Sequence, residues 1–298
     1  MYMYMNGEII DEKEAAISPF DHGFLYGLGL FETFRIYDGH PFLLDDHISR
    51  INEGLHELNI DFSCTRGEIM LIIDRLMHAN ECRNARLRLN ISAGEAPVGL
   101  QSVPYTSPNV IMLMTPAVSA VELQAKKGVI LQTRRNTPET AIRLKSHHYL
   151  NNVKAKLEIG NKTDIEGIFL TENGYIAEGI TSNLFWVKEG FLYTPEINTG
   201  ILNGITRQWI IKLAGQMGFP IAEGRFLPED LLEADEFFYT NSVQEIVAFS
   251  YVENVKTFPG QNGEAARVLF KEYQRYKTNL FGKSQLRGMQ EENHGKES

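Results

Sequence analysis

The hydrophobic pattern of residues 1–116 predicts hairpins and two amphipathic helices. Asn6-Gly7 and Asp38-Gly39 each separate short apolar runs, and both dipeptides tolerate the positive φ angles of a tight turn. Thr65 followed three residues later by Glu68 is a capping-box pattern that begins a helix. The elements predicted here are strands over Met1–Met5, Glu8–Ile10, Leu30–Tyr37, His40–Leu44, Arg86–Ser92 and Asn109–Met114, and helices over 45–58 and 65–77.

The second half of the chain mixes strands and helices without a regular βαβ alternation. Such a mixture favours an α+β fold over a doubly wound parallel sheet. In the helix predicted over Tyr149–Ile159, Leu150, Val153 and Leu157 share one face. The other elements predicted here are strands over Val129–Arg134, Gly167–Thr171, Tyr175–Gly179, Leu184–Lys188, Phe191–Thr194, Glu236–Thr240 and Ile246–Val252, and helices over Ile205–Met217 and Ala265–Thr278.

Changes of composition predict the domain boundaries. Residues 117–128 combine proline, serine, alanine and charge without a clear period, so we interpret them as a linker. This linker separates a small N-terminal α+β domain over 1–116 from a larger domain over 129–282. Residues 283–298 are polar and contain glycine, a composition that predicts a disordered tail.

Composition and charge limit the classes of function. The 298 residues include 43% hydrophobic and 22% charged residues, as in an ordinary globular protein. A net charge of −9 without a dense Lys/Arg block argues against nucleic-acid binding, and no apolar run is long enough to span a membrane. Cys64 and Cys82 fit neither a disulfide framework nor a zinc site, and the histidines fit no metal spacing. We therefore expect a cytoplasmic enzyme that acts on a small molecule and holds no metal.

Lys145 is a candidate for covalent chemistry. It lies where a loop meets a predicted helix, and Arg134, Arg135 and Arg143 are close to it in sequence. Neighbouring cations and partial burial favour the neutral amine, which is the nucleophile that forms a Schiff base with a carbonyl compound. A single lysine before a helix is, however, more often a solvated surface charge.

The segment Gly200–Arg207 predicts an anion site. Two glycines and an asparagine lead into a helix whose first backbone N–H groups, at Ile205 and Thr206, have no partner within the helix. These N–H groups and the helix dipole favour a phosphate. The P-loop spacing is absent, and a glycine-rich turn that merely begins a helix is the alternative.

Three further polar positions are candidates for a site. Glu178 ends a predicted strand beside small residues, where its carboxylate could pair with a protonated ring nitrogen. Arg50 lies between apolar positions of the first long helix and could point sideways into a cleft. Thr240-Asn241-Ser242 offers hydroxyl and N–H groups after an apolar strand. Taken singly, each of these side chains could equally face water.

The order of these motifs resembles that of the fold-type-IV pyridoxal-phosphate enzymes over about residues 3–255. Arg50 is followed by Arg-Leu-Lys-Ser, Ala-Glu-Gly-Ile-Thr-Ser-Asn-Leu-Phe, Gly-Ile-Leu-Asn-Gly-Ile-Thr-Arg and Thr-Asn-Ser. The resemblance implies pyridoxal 5'-phosphate as cofactor, with Lys145 as the Schiff-base lysine and Glu178 as the partner of the ring nitrogen. The residues that it implies around the phosphate and the ring face are Arg50, Ile205, Thr206, Asn241, Ser242 and, on the ring face, Leu202.

The same resemblance implies an architecture and an assembly. The family has a small N-terminal α+β domain and a larger C-terminal α/β domain with a barrel-like sheet. Its cofactor lies in the cleft between these domains. The resemblance also implies a homodimer in which the partner chain helps to close the site.

The motifs on the substrate side differ from those of two aminotransferase groups in this family. D-Amino-acid aminotransferases carry an Arg-x-His pair after the strand that here ends at Asn90, and a tyrosine at the position of Phe31. Branched-chain aminotransferases show Tyr-Gly-x-x-x-Phe-Glu-Gly, where this chain has threonine in place of the last glycine. The runs that are instead similar to bacillus-type aminodeoxychorismate lyases are Ser18–Gly23, Leu89–Gly94, Leu144–Asn152 and Thr240–Ile246.

This similarity implies an elimination that converts 4-amino-4-deoxychorismate into 4-aminobenzoate and pyruvate for folate biosynthesis. A branched-chain or D-amino-acid aminotransferase of the same fold is the alternative. The residues that bind the carboxylates of the substrate are not identified by the sequence. The candidates by charge alone are Arg88, Arg135, Arg143 and Lys154.

Overall fold

A computed structural model describes residues 1–286 of the chain and divides into two compact units. The N-terminal unit contains Met1–Ser119 together with two later segments, Leu144–His148 and Lys277–Gly282. The C-terminal unit contains, among the described residues, Ala120–Arg143, Tyr149–Tyr276 and residues 283–286. The chain therefore leaves the C-terminal unit twice to add residues to the N-terminal one.

The N-terminal unit is a six-stranded antiparallel sheet with helices, in the strand order β2-β1-β6-β5-β3-β4. Thr65 caps the second long helix in the predicted capping box with Glu68. The bounds of the elements are β1 Tyr2–Met5, β2 Glu8–Asp11, α1 His22–Tyr26, β3 Gly29–Tyr37, β4 His40–Pro41, α2 Leu44–Glu57, α3 Arg66–Ala79, β5 Ala85–Ser92 and β6 Asn109–Pro116.

The two faces of this sheet differ in polarity. Along β5 the buried and less buried residues alternate, because successive side chains of a strand point to opposite faces. The buried residues of β5 join the core with residues of α2 and α3, such as Leu55 and Ile73. The opposite face of β5 presents Arg86, Arg88, Asn90 and Ser92. One face thus holds the core, and the other is available for polar groups.

The C-terminal unit contains a nine-stranded mixed sheet in the order β12-β11-β10-β13-β14-β7-β8-β9, with β15 paired to β14. The pairs β7–β8, β7–β14 and β11–β12 are parallel, and the others are antiparallel. The bounds of the elements are β7 Gln124–Ile130, α4 Leu150–Ile159, β8 Ile165–Leu170, β9 Ile176–Gly179, β10 Asn183–Lys188, β11 Phe191–Pro195, α5 Ile205–Gln216, β12 Ile221–Gly224, β13 Glu236–Asn241, β14 Glu245–Val252, β15 Lys256–Thr257 and α6 Glu264–Tyr276.

This larger sheet curls, because its two ends meet. The last strand of the order, β9, begins at Ile176, whose N–H donates to Phe226 O at 2.7 Å, just beyond β12 at the other end. The strand β9 then turns directly into β10, and Gly179 N donates to Ser182 O at 2.8 Å across the turn. The predicted α+β class with a barrel-like sheet is confirmed by this topology.

Most predicted elements are confirmed, but the structure differs from the prediction in several details. Residues 117–128 are not a linker throughout, because β7 begins at Gln124, earlier than the predicted strand Val129–Arg134. The reason is that β7 is fixed by parallel pairing with β8 and β14, a contact that leaves no local signal. Three short elements, α1, β12 and β15, were missed. The predicted small domain also lacks the two later segments that complete the N-terminal unit.

The C-terminal part of the chain also differs from expectation. The apolar stripe of α4 is largely exposed, with Leu150 at 71% and Leu157 at 70%, whereas Asn152, Ala155 and Ile159 face the core. Within the predicted tail 283–298, Lys283 Nζ donates to Gln208 Oε1 at 2.6 Å, so the segment begins ordered. The rest of that prediction, residues 287–298, lies outside the described residues.

Gly94 is expected to be irreplaceable for a steric reason that Gly99 does not share. Gly94 has φ +81°, and a Cβ atom there would overlap the carbonyl oxygen of Ser107. Gly99 has φ +121°, but a Cβ atom would meet nothing within 4 Å. Gly94→Ala should lower the free energy of unfolding by about 3 kcal/mol, and Gly99→Ala by about 1 kcal/mol. Urea unfolding of both variants measures this difference, and equal losses would contradict the steric explanation.

Candidate active site

Lys145 is placed by a short strand-like pairing with β3 in the N-terminal unit. Phe31 N donates to Lys145 O at 3.0 Å, and His147 N donates to Gly29 O at 2.9 Å. Because side chains alternate along paired strands, Lys145 and Phe31 lie on the same face of the sheet. The Lys145 Nζ atom lies 4.4 Å from the centroid of the Phe31 ring. The lysine therefore projects from the polar face, away from the core residue Leu30.

Arg88 lies on the same face. Its guanidinium carbon is 3.6 Å from the Phe31 ring centroid, and its Nε atom donates to Asn90 Oδ1 at 2.9 Å. Phe31 thus contacts two cationic side chains, an arrangement that the negative face of an aromatic ring stabilises. Of the four carboxylate-binding candidates from the sequence, Arg88 is the one in the N-terminal unit, beside Lys145.

Arg50 is held by a buried carboxylate that the sequence analysis did not identify. Arg50 Nε and Nη2 donate to the two oxygens of Glu32 at 2.7 and 2.8 Å, and His47 Nδ1 donates to Glu32 Oε2 at 2.7 Å. Glu32 is 1% exposed. The sequence did contain a signal for this pairing, because Glu32 interrupts the largely apolar strand Leu30–Phe34. A charge in a buried strand needs a buried partner.

The charges around Glu32 determine its protonation. Burial by itself would raise the pKa of Glu32, but Arg50 and His47 outweigh burial and hold that pKa well below its ordinary value. Burial, opposed by Glu32, lowers the pKa of His47, and the nearby charge of Lys145 acts in the same direction as burial. Glu32 is therefore ionised and His47 neutral at pH 7, so that one negative charge fixes the Arg50 guanidinium.

Glu178 ends β9 in the C-terminal unit and is 4% exposed. Arg135 Nε donates to Glu178 Oε1 at 2.7 Å, and Arg143 Nε lies 3.9 Å from the same oxygen. The other oxygen, Oε2, accepts from Leu202 N at 3.0 Å. Glu178 and Leu202, which the sequence analysis assigned to one site, are therefore in contact. Of the four side chains proposed to bind the substrate carboxylates, Arg135 and Arg143 instead pair with Glu178. Lys154 is exposed on α4.

The N-terminus of α5 has the features of an anion site. Gly204 is the N-cap residue, and no side chain caps the helix there. Ile205 and Thr206 begin the helix, and Thr206 Oγ1 lies 3.1 Å from Ser242 Oγ. A Cβ atom on Gly204 would overlap Asn183 Oδ1, so only glycine permits this close approach. Thr206 and Ser242 are thus brought together at the start of a helix without a side-chain cap, where the helix dipole favours an anion.

A buried hydroxyl near this helix has no partner. Thr240 Oγ1 is buried and makes no hydrogen bond within the described residues. Thr240 is opposite Asn183 in the β10–β13 pairing, so both side chains lie on one face of the sheet. Asn183 Nδ2 donates to Leu202 O at 2.9 Å, which places this face at the start of α5. An unsatisfied buried hydroxyl beside an uncapped helix fits a phosphate group, which supplies several acceptor oxygens.

The Asn241 side chain bonds to the backbone of the turn that follows it. Its Oδ1 atom accepts from Val243 N at 2.9 Å and from Gln244 N at 2.7 Å. The side chain therefore closes the turn that carries Ser242. The structure assigns Asn183 a position at the helix start that the sequence analysis missed, although Asn183 lies within the motif that follows Glu178.

A lysine on the polar face of one sheet, a buried carboxylate held by arginine and an uncapped helix with paired hydroxyls are compatible with the class of pyridoxal-phosphate enzymes. The chain belongs to the amino-transferase class IV family, whose sequence profile matches residues 29–252. Its fold is that of the Escherichia coli branched-chain amino acid aminotransferase, with a TM-score of 0.84 and 28% identity over 93% of this chain and 94% of that one.

Two relatives are named for a lyase activity. The aminodeoxychorismate lyase of Bacillus subtilis is 49% identical over 90% of this chain and 92% of its own length. The 4-amino-4-deoxychorismate lyase structure from Pseudomonas aeruginosa has a TM-score of 0.81 and 25% identity, and covers 94% of this chain and 99% of that one. A putative branched-chain-amino-acid aminotransferase of Methanocaldococcus jannaschii is 34% identical over 93% of this chain and 97% of its own length.

Residues 1–286 contain no group of three or more His, Cys, Asp or Glu side chains that could hold a metal ion. No described helix is both long enough and apolar enough to cross a membrane.

Glu32→Gln is expected to destabilise the protein at neutral pH by about 3 kcal/mol, because Arg50 and His47 lose their buried anion. The wild-type contribution is present above the unfolded pKa of about 4.3 and is lost as the pH falls through the lower folded pKa. The variant should therefore show a weaker pH dependence of the unfolding free energy below pH ~4. Urea unfolding across pH measures both effects. Glu53→Gln, at an exposed position of α2, is the control, and equal behaviour of the two variants would refute the role of Glu32.

Proposed function

We propose that this protein is a 4-amino-4-deoxychorismate lyase that forms 4-aminobenzoate and pyruvate for folate biosynthesis. The observation that carries this proposal is the 49% identity with the Bacillus subtilis aminodeoxychorismate lyase over nine-tenths of both chains. The threonine and serine hydroxyls at the start of α5 support a phosphate-bearing cofactor. A relative from the same structural family has been solved with N-(5'-phosphopyridoxyl)-L-glutamate.

Pyridoxal 5'-phosphate is the cofactor that these residues fit. In this proposal Lys145 would hold it covalently, and Glu178 would accept a hydrogen bond from the protonated ring nitrogen. The N–H groups of Ile205 and Thr206 and the hydroxyls of Thr206 and Ser242 would hold its phosphate, with Arg50 as the further proposed phosphate ligand. Asn241 shapes the turn that carries Ser242, and Leu202 packs on the ring. When bound, the cofactor supplies a sink for the electron pair released at the reacting carbon.

The reaction needs two proton transfers and no second substrate. Lys145 Nζ removes the proton from C4 of the substrate ring, and the C3–O bond to the enolpyruvyl group then breaks. A proton returned from Lys145 to the methylene carbon of that group completes pyruvate. The atoms of the substrate equal those of 4-aminobenzoate plus pyruvate, so neither a keto acid nor an oxidant is consumed. Glu32 and His47 support this chemistry by fixing the charges next to Lys145.

An aminotransferase for branched-chain or D-amino acids is the second candidate, because relatives of both kinds match the chain. A D-alanine aminotransferase of Bacillus licheniformis is 30% identical over 88% of this chain and 92% of its own length. An aminotransferase would use the same lysine, but it requires 2-oxoglutarate or pyruvate as amino acceptor. The requirement for a keto acid therefore distinguishes the two activities.

The decisive assay supplies the enzyme with pyridoxal phosphate and 4-amino-4-deoxychorismate in the absence of any keto acid. Equal catalytic amounts of 4-aminobenzoate and pyruvate, separated by chromatography, are expected. Lys145→Ala should lower turnover roughly a thousandfold or more, because the proton-transfer group is removed. Lys154→Ala, at an exposed position of α4, should retain activity. No products, but amino transfer from an amino-acid panel to 2-oxoglutarate, would replace the lyase with the second candidate.

We also propose that the protein is a homodimer in the cytoplasm. The support for a reducing compartment is that Cys64 and Cys82 are both free thiols. The support for association is an apolar patch on the N-terminal unit, where the loop after β5 packs on α1: Gly99 N donates to Tyr26 Oη at 2.8 Å, and His22 Nε2 donates to Pro97 O at 3.1 Å. The patch consists of Phe20, Phe24, Val98, Leu100 and Val103, each more than half exposed.

Exposed apolar side chains concentrated in two neighbouring segments of a surface favour association with a second copy of the chain. Phe24→Glu/Leu100→Glu should shift the mass from dimer to monomer at micromolar concentration, because two charges would be buried in the interface. Leu71→Glu is the control, since Leu71 is 66% exposed on α3. Light scattering after gel filtration measures the mass, and a monomeric wild-type protein would refute the proposal.

A further inference from the structure

The carboxylate of Glu178 faces more positive charge than it can neutralise. Arg135 donates to its Oε1 atom at 2.7 Å, and Arg143 lies 3.9 Å from the same atom. All three side chains are largely buried, with the Arg135 and Arg143 side chains 6% and 10% exposed. Glu178 is the one buried carboxylate beside these two guanidinium groups, and Glu139, the other carboxylate that acts on Arg143, is exposed and therefore screened by water, so the buried positive charge is only partly neutralised.

Amide oxygens hold Arg135 in place. Its Nη1 atom donates to Asn151 Oδ1 at 2.6 Å, Asn136 Oδ1 at 3.3 Å and Asn152 Oδ1 at 3.4 Å. Asn152 is itself fixed by a bond of 2.5 Å from its Nδ2 atom to Ile180 O, in the turn after Glu178. Because these amides are neutral, they orient the guanidinium without cancelling its charge.

Arg143 is held near Glu178 by hydrogen bonds to other residues. Its Nε atom donates to Gly200 O at 2.5 Å, and its Nη1 atom donates to Asn136 Oδ1 at 3.3 Å. Burial, together with the charge of Arg135, lowers the pKa of Arg143 to about 10. Arg143 is therefore still charged at pH 7, and Asn136 links the two guanidinium groups.

We propose that Arg135 is a positioning residue that weakens the protonation of the cofactor ring nitrogen at Glu178, with Arg143 acting in the same direction. The inference rests on the proposed role of Glu178 as partner of that nitrogen. A protonated ring nitrogen adds a positive charge beside two existing ones, whereas an unprotonated nitrogen adds none. Arg135 thus disfavours protonation of the ring nitrogen, whereas Glu178 favours it. The two residues together determine how strongly the cofactor ring accepts electrons.

The test measures the ring nitrogen directly. Protein reconstituted with ring-15N-labelled pyridoxal phosphate is compared by NMR for the wild type, Arg135→Gln and Arg134→Gln. Arg135→Gln should move the ring 15N shift toward that of the protonated pyridinium, because one opposing charge is gone. Arg134→Gln should leave the shift unchanged, since Arg134 is the exposed neighbour in sequence. A shift that is unchanged or moves the other way in Arg135→Gln would overturn the inference.

Two further variants separate charge from structure. Arg135→Lys retains the positive charge and should lie nearer to the wild-type shift than Arg135→Gln does. Arg143→Gln leaves the 2.7 Å Arg135–Glu178 bond intact, so it should fold and move the shift in the same direction by a smaller amount. If Arg135→Gln does not fold, Arg143→Gln decides the matter, and an unchanged shift there counts against the inference. A wild-type protein that binds no pyridoxal phosphate would instead refute the proposed function.

Discussion

Guanidinium groups that neutralise buried carboxylates are the interaction on which both units depend. An ionised carboxylate in an apolar interior is costly unless a cation and further donors surround it. In the N-terminal unit Arg50 and His47 surround Glu32, and in the C-terminal unit Arg135 and Leu202 N surround Glu178. Each carboxylate fixes a neighbouring group at a defined angle. The polar groups around each carboxylate are therefore oriented before any ligand arrives, which reduces the cost of organising them later.

Local signals in the sequence were sufficient for much of the fold. Asn6-Gly7 and Asp38-Gly39 adopt the positive φ angles that their hairpins require, and Thr65 with Glu68 forms the capping box. These features depend on a few adjacent residues, so the sequence specifies them without reference to the rest of the chain. The hydroxyls of Thr206 and Ser242 were assigned to one site through their order in a family, and the structure places them 3.1 Å apart.

The features that the sequence did not reveal depend on contacts between distant residues. The strand β7 is defined by parallel neighbours on both sides, and its own residues, Gln124–Ile130, lack a clear alternation. Glu32 and Asn183 were missed because their partners are separated from them in sequence. The apolar stripe of α4 is exposed, which a periodicity argument alone cannot distinguish from a buried one. Pattern shows which residues share a face, but tertiary packing decides where that face lies.

The pairing of Leu144–His148 with β3 has a consequence for synthesis of the chain. On a ribosome, β3 emerges early, but the segment that carries Lys145 follows only after the whole first sheet has been made. The N-terminal unit also receives Lys277–Gly282, where Leu43 N donates to Leu280 O at 3.0 Å. Such non-local closures are slow and come late in folding. A nascent chain therefore exposes an incomplete first unit until Lys277–Gly282 has emerged, long after the six strands of its sheet have been made.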